Sequence, residues 1–493
     1  MDESLYNAKL SELFVRFPSV QKAGFGDAYK PGLGHMLDFA SSLGDPQERF
    51  RTVHVAGTNG KGSVANMLAS ALAADGLKVG LYTSPHILDF RERMRIIDGS
   101  AAAPVALPGT CDGTRTFYPS PRAEMISREE VWDFICSREA DFDELDLSFF
   151  EITTGMALWW FAERGVDVAV IEVGLGGRLD STNIITPELS IVTGIGLDHC
   201  ALLGDTRVLI AGEKAGIFKP GVPALVGSRD PETEPVFVRM ALETGSRLVF
   251  ADDFPLSDEE SALLHRLDLQ GEYQAENLRT ALCALRLLGV EPSFDALEHT
   301  AARMDFHGRW ELLRRDPDII CDIGHNPPAL AKNFSQLEGY LSSGRYSRLF
   351  VVYGVMADKD LAGIIPLMPR DATFITVAPQ TPRAMGEGEL YARLSEAFAS
   401  RTERLDCADS QPGEGAEGVV HSGDPQPGGS AEGVVHGGDS QPCEGSEGVI
   451  HGGTVAEGIG LALKMASRAP GSLIYVGGST FVVSEAVTYF EKL

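Results

Sequence analysis

Short apolar runs of strand character alternate with longer runs of helical periodicity along nearly the whole chain. RTVHVAG (51–57), KVGLYTS (78–84), VDVAVIEVG (166–174), LSIVTGI (189–195), VPALVG (222–227) and RLVFAD (247–252) are rich in β-branched residues and end near Gly or polar turns. NMLASALAAD (66–75), FFEITTGMALWWFAERG (149–165) and ENLRTALCALRLLG (276–289) carry the helical period. DIICDIGH (318–325), RLFVVYGV (348–355), TFITVAP (373–379) and SLIYVGG (472–478) continue the strand pattern with helices between. Alternation of this kind predicts parallel sheets with helices on both faces, an α/β fold. At 493 residues there is room for roughly two to four domains. A boundary is expected near residue 307, where the helical stretch ends and HGRWELL opens a new unit.

Composition narrows the function classes. Apolar residues at 44% and charged residues at 23% suit a folded soluble chain. No run approaches 18 apolar residues, so no membrane span is expected. The N-terminus lacks the basic and apolar regions of a secretory signal. Seven scattered cysteines without a C-x-x-C pair point to neither a disulfide framework nor a zinc site, and a cytoplasmic setting follows. A net charge of −28 argues against nucleic-acid binding, but not against anionic small ligands at a locally basic site. Residues 409–453 are three tandem 15-residue copies with 8 of the 70 acidic residues and no Lys or Arg. Each copy offers one Val-Val or Val-Ile pair, too little to offset its ordering entropy, so a surface insertion is expected. Residues 100–122, dense in Pro, Gly and Ser, read as a second insertion.

The strongest local motif is V53-H-V-A-G-T-N-G-K-G-S-V64, between a strand and a helix. Thr58, Asn59, Gly60, Lys61, Gly62 and Ser63 form a Gly-rich turn whose backbone N–H groups and helix N-terminus suit a phosphate chain. Lys61 would pair with the β/γ-phosphates and the Ser63 hydroxyl would ligate Mg²⁺. The loop departs from G-x-x-x-x-G-K-[ST]: Val55 replaces the first Gly, and Gly62 separates Lys61 from Ser63. T83-S-P-H-I-L-D-F-R-E-R-M-R95 follows the next strand, with Ser84 at its end; Arg91, Arg93 and Arg95 suit either an anionic ligand or a solvated helix face. Glu172, a carboxylate inside an apolar strand ahead of Gly174, Gly176 and Gly177, needs a cation or a metal. His199 follows the next strand. Lys214 falls on a helix expected over 206–218, as a surface lysine beside Glu213 unless the site draws it in. D322-I-G-H-N-P327 ends another strand, and Arg309 sits at the expected boundary.

Taken together, HVAGTNGKGSV, TSPH…FRER, FFEITTGMAL, IEVGLGGRLDSTN, LDH, GEKAGIFKPG, GRWE, DIGHNP and ADKD resemble the folylpolyglutamate synthase/dihydrofolate synthase family, within the Mur ligase superfamily. The resemblance spans about 5–400 and 455–490 and accounts for the extra glycine. It implies an N-terminal P-loop ATPase domain of the Mur ligase central-domain type (1–307). It implies a C-terminal Rossmann-like α/β domain (308–493), interrupted at 409–453. It also implies ATP-dependent amide formation: a dihydropteroate or folate carboxylate attacks the γ-phosphate, and the amine of L-glutamate captures the acyl phosphate. By resemblance Lys61, Glu172, His199 and Lys214 are catalytic. Ser63, Ser84, Glu172, His199 and a carbamylated Lys214 hold two Mg²⁺. Thr58 to Ser63, Asn277, Arg309, Asp322 and His325 contact ATP, and Ser84, Pro85, His86, Arg91 and Arg93 face the folate. A monomer acting on dihydropteroate or reduced folates is expected. The rival readings are a polyglutamylase only, a peptidoglycan-precursor ligase, and a regulatory P-loop ATPase without ligase activity.

Overall fold

A computed structural model describes residues 3–17, 32–100, 105–106, 117–118, 121–408 and 448–492, with side chains described outside 105–106, 117–118 and 400–408. Two α/β units follow one another along the chain. The strands of the first are β1 (Arg51–Ala56), β2 (Lys78–Tyr82), β3 (Met94–Asp98), then β6 (Glu124–Met125), β7 (Val168–Glu172), β8 (Leu189–Val192), β9 (Ala224–Val226) and β10 (Leu248–Phe250). Two short strands, β4 (Val105–Ala106) and β5 (Phe117–Tyr118), pair antiparallel apart from that sheet. The sheet order is β10-β9-β8-β1-β7-β2-β3-β6. Pairing is parallel from β10 to β2, while β3 and β6 run antiparallel at one edge. The second sheet, β11 (Glu311–Arg314), β12 (Asp318–Asp322), β13 (Arg348–Tyr353), β14 (Ala372–Ala378), β15 (Val449–Thr454) and β16 (Ser472–Gly477), has the order β11-β12-β16-β13-β14-β15. Only β11 is antiparallel there. The expected parallel sheets therefore hold for the interiors and not for these edges.

The first unit is built around the helix Lys61–Ala74, buried continuously from Gly62 to Ala73. It lies between the sheet and the helix Gln274–Leu287, and its Ala and Ser residues let all three layers approach closely. Val64, Met67, Leu68 and Leu72 fill the remaining space, each worth about 2 kcal/mol of burial. The other face of the sheet is covered by the helices Arg128–Glu144 and Phe149–Glu163, which carry an aromatic core including Phe134, Phe142 and Phe161. Both helices start with reciprocal capping boxes, Ser127 with Glu130 and Ser148 with Glu151, each satisfying two otherwise orphaned N–H groups.

Three expectations need correction. The third repeat does not end as a surface loop: Val449–Thr454 forms β15, paired parallel with β14 from Phe374↔Val449 to Ala378↔Thr454. Its Val-Ile pair finds a sheet edge that the repeat alone could not supply. The remainder of the repeats, 409–447, and most of the 100–122 insertion lie outside the described residues. The FRER segment is not a helix face but a single 3-10 turn, Phe90–Arg93, leading into β3, and Arg93 and Arg95 are buried. The helix bearing Lys214 spans Arg207–Ala215, capped by the Thr206 hydroxyl.

Candidate active site

The ligand-facing side of the first sheet lies beyond the C-terminal ends of β1, β7 and β8. There β1 is flanked by β7 and β8 and the chain order reverses, the topology that opens a crevice in such sheets. Between β1 and its helix, residues 57–60 form the phosphate loop. Gly57 and Gly60 have φ of +150° and +89°. A Cβ on Gly57 would lie 1.8 Å from Thr193 Oγ1, and one on Gly60 would lie 2.2 Å from Asn277 Oδ1, so both positions demand glycine. The loop is strapped to the segment after β8. Thr58 N–H donates to the Gly194 carbonyl at 2.7 Å, the Thr193 hydroxyl to the Asn59 carbonyl at 2.7 Å, and the Thr58 hydroxyl to the Gly196 carbonyl at 3.1 Å. Lys61 folds back, its ammonium donating to the Gly57 and Thr58 carbonyls at 3.1 and 3.3 Å.

Gly62, the departure from the usual loop, opens a slot. A Cβ there would meet Phe306 Cζ, Arg309 Nη2 and Glu172 Oε2 at 3.5–3.6 Å. Glu172 is 4% exposed and accepts the Ser84 N–H at 3.2 Å. Burial raises its pKa, partly offset by Lys61, the Ser84 N–H, Arg309 and Arg93. A carboxylate held there is short of positive charge, which fits a hard cation. Among the described residues no three His, Cys, Asp or Glu side chains cluster as ready metal ligands. A divalent ion here would draw its remaining ligands from hydroxyls, waters or phosphate, as Mg²⁺ commonly does.

Lys61, His199 and Lys214 line one pocket with Gly57, Thr58, Gly174, Gly176 and Asp198. Lys214 is not the surface lysine that its neighbours suggested. It is 4% exposed, because Gly177 packs against its Cα and the Glu213 carbonyl, and Glu213 pairs with Arg178 instead. Burial, then repulsion from Lys61, lowers the Lys214 pKa to about 7. His199 has a left-handed backbone, φ +51°, and burial outweighs the pull of Asp198 to hold its imidazole down at about 4. It therefore offers a neutral ring at ordinary pH. Asp180 shapes the floor by accepting the Leu175 and Thr182 N–H groups. Ser63, assigned to a metal from the sequence, is 2% exposed in the first turn of its helix.

The second unit supplies the opposite wall through Arg309 and the loop after β12, next to Asn277 of the first unit. Asn277 donates to Gln274 at 2.8 Å behind Gly60. Arg309 lies over Phe306, 4.8 Å from the ring centroid. Asp322 is 3% exposed and accepts the Tyr273 hydroxyl, the Trp310 and Gly324 N–H groups and the Asn333 amide. With its oxygens so engaged it organises the loop that carries His325. His325 bonds the Ile323 carbonyl through Nδ1 at 3.0 Å, and its Nε2 comes within 3.8 Å of Asp198.

The set expected to face folate divides. Ser84 joins Glu172 at the crevice, ahead of Pro85. Arg93 is buried, donates to His86 Nδ1 at 2.9 Å and lies over Phe149. Arg91 forms a fork on Asp89. Glu92 accepts three successive N–H groups, from Ile87, Leu88 and Asp89, each at 2.7 Å. Asp198, which lines the pocket, and Lys359, which reaches that carboxylate at 3.4 Å, lie within the LDH and ADKD motifs without a role of their own. Asn326 enters the sequence reading only as a member of the DIGHNP loop, and the part Glu92 plays in holding the turn is not foreseen there.

Comparisons with known proteins identify the family. Residues 308–423 match the family model "Mur ligase, glutamate ligase domain". A Lacticaseibacillus casei folylpolyglutamate synthase is 34% identical over 73% of this chain and 84% of its own. An Escherichia coli dihydrofolate synthase/folylpolyglutamate synthase is 34% identical over 70% and 79%. Among solved structures, a Mycobacterium tuberculosis folylpolyglutamate synthase complexed with ADP and AMPPCP superposes with TM-score 0.74 at 24% identity, covering 99% of both chains. A Thermotoga maritima folylpolyglutamate synthase does so at 0.69 and 25%, covering 100% and 98%. With its phosphate loop, buried carboxylate and recessed lysine converging on one crevice, the chain belongs to the folylpolyglutamate synthase/dihydrofolate synthase family of ATP-dependent amide-forming Mur ligases.

Proposed function

We propose that the enzyme joins L-glutamate to dihydropteroate and to reduced, already glutamylated folates, with residues 1–307 binding ATP and 308–493 closing over it. The observation that carries this reading is the meeting of Lys61, His199 and Lys214 around one pocket, with Glu172 beside the same loop. In the first step a substrate carboxylate oxygen attacks the γ-phosphorus, the bond from that phosphorus to the bridging oxygen breaks, and ADP leaves with its electron pair to give an acyl phosphate, so two anions must be held together. Lys61 and the loop N–H groups hold the phosphates, and Arg309 adds a cation from the far wall. Mg²⁺ would be held by Ser84 and Glu172, and by His199 with Lys214, and would neutralise charge on the phosphates. The amine of glutamate then attacks the acyl carbon, phosphate leaves with the electron pair of the C–O bond, and the amine proton passes to solvent.

For Lys214 to hold an ion it must first become an anion. A neutral amine adds to the carbon of CO₂: the N–C bond forms, a C–O π pair moves onto oxygen, and a proton leaves to give a carbamate. Burial and Lys61 lower the Lys214 pKa to about 7, which supplies the neutral amine. The test is ADP release with dihydropteroate and with tetrahydrofolate separately, each with and without glutamate. Turnover that needs a pterin substrate and glutamate together supports ligation, and turnover with neither marks a regulatory ATPase. Activity with tetrahydrofolate alone would favour the single-function reading, in line with the name of the Lacticaseibacillus casei relative.

A further inference from the structure

A carboxylate at the mouth of a phosphate pocket repels the ligand it faces, so Asp198 needs another purpose. It lines the same pocket as Lys61 and is held on its own wall by the His199 N–H at 3.0 Å, with His199 Nε2 at 3.8 Å, yet its other side-chain partners come from the opposite wall. Asn326 Nδ2 donates to it at 3.0 Å and Lys359 Nζ at 3.4 Å, with His325 Nε2 at 3.8 Å.

Asn326 is the second part of the arrangement. Its Oδ1 accepts the Ala329 N–H at 3.0 Å, capping the helix Pro327–Ser342, and accepts Asn59 Nδ2 at 3.1 Å. Its Nδ2 donates to Asn59 Oδ1 at 3.0 Å as well as to Asp198. Both donors and both lone pairs of the amide are thus used. No other side-chain type offers that set in that volume. Asn59 is in turn the residue whose carbonyl Thr193 holds, so the amide pair ties the second unit directly to the backbone that grips phosphate.

We propose that Asp198, Asn326 and Asn59 form a latch that couples closure of the second unit to the working shape of the phosphate loop, with Asp198 and Asn326 as positioning residues. The proposal rests on the ligase reading above. Asp198 draws Lys359 and His325 to the pocket, and Asn326 transmits their arrival to Asn59. The latch assembles the site for transfer and contributes little to nucleotide affinity. Its loss therefore lowers turnover and leaves ADP binding nearly unchanged.

The experiment compares the full-length parent with Asp198→Asn, Asn326→Ala and the double variant. It measures kcat for ligation, Kd for ADP, and amide hydrogen exchange over 57–60 and 326–330. Each single variant is expected to cut kcat about 10- to 100-fold, with Kd for ADP within about threefold of the parent. The double variant should be no worse than the poorer single, because both break one unit. Exchange should quicken in both segments together, on opposite walls of the crevice. Losses in kcat that multiply would overturn the proposal, as would exchange confined to the mutated side, or ADP affinity falling in step with kcat. Should Asp198→Asn fail to fold, Lys359→Met takes its place with the same expected signature. A parent that does not ligate, while each variant still quickens exchange in both segments, would refute the ligase reading and leave the latch standing.

Discussion

Replacing Lys214 by Met should make the protein more stable and inactive. The change keeps the aliphatic volume and removes a buried ammonium, so packing loss is small. The pKa falls from 10.5 to about 7 on folding, and at 1.4 kcal/mol per unit this sets a ceiling of about 5 kcal/mol. Relaxation around a charged group reduces such figures, and roughly 2–4 kcal/mol is the expected gain. The sign follows from linkage. Between pH 7 and 10.5 the unfolded chain holds the proton that the folded chain has lost, so parent stability climbs with pH across that window. The Met variant lacks this climb, and its advantage should be largest at or below pH 7 and vanish near 10.5. The assay is urea unfolding in CO₂-free buffer at several pH values, repeated with bicarbonate. At pH 8 the Lys214 amine would be about 90% neutral, against about 0.3% for an ordinary lysine. Bicarbonate should then stabilise the parent by carbamate formation, narrow the gap, and leave the variant unchanged. A variant no more stable than the parent at pH 7, or a gap that ignores both pH and bicarbonate, would refute the argument.

Three further outcomes are expected. Lys61→Ala and Glu172→Gln should each lower turnover by about 10²–10³ while circular dichroism and melting stay close to the parent; near-normal rates would remove that residue from the machinery. His307 bonds Glu311 and faces Asp305. Burial alone would lower it, but those acids outweigh it and lift its pKa from 6.5 to about 10. Its stabilisation is therefore full below pH 6.5 and lost as pH rises towards 10, and unfolding of His307→Gln should trail the parent by a few kcal/mol at pH 6 and match it near pH 10. Replacing 409–447 by a short Gly-Ser linker should leave activity and melting nearly intact, whereas removing 409–453 should lower melting by several degrees, since it strips β15 from β14 and exposes an edge; equal melting of the two would show that β15 contributes little.

What could be read from the sequence was local. Strand positions were legible because each strand is a short apolar run bounded by Gly or polar turns, as Val168–Glu172 illustrates. The helix Arg128–Glu144 was not, because its buried positions Val131, Phe134, Ile135 and Phe142 are outnumbered by charges; the S127-x-x-E130 capping pattern was its available signal. The reversal of β3 depends on how Glu92 folds the preceding turn, which no periodicity records. Lys61, Glu172, His199 and Lys214 could be named from motifs, but the burial of Lys214 arises from Gly177, 37 positions away in the chain. Asp198 lay in the LDH motif, but its role did not show there because its partners, Asn326 and Lys359, lie 128 and 161 positions away.

The turn held by Glu92 bears on how substrate affinity is spent. A loop that must order itself on binding consumes part of the interaction free energy, about 1–2 kcal/mol per residue fixed. Here three N–H groups of the Ile87–Asp89 segment are already filled by the loop's own carboxylate. Ile87 is seated among Ile319, Ile323 and Val483 of the second unit, beside Gly308, where an added Cβ would come within 3.1 Å of it. The segment leading back to Ser84 is thus rigid before any ligand arrives, and it is fastened to both halves of the molecule. Substrate binding energy need not freeze this wall. On the reading proposed above it remains available for drawing the reacting carboxylate onto the phosphate, and a rotation of one half against the other must strain or release the Ile87 contact.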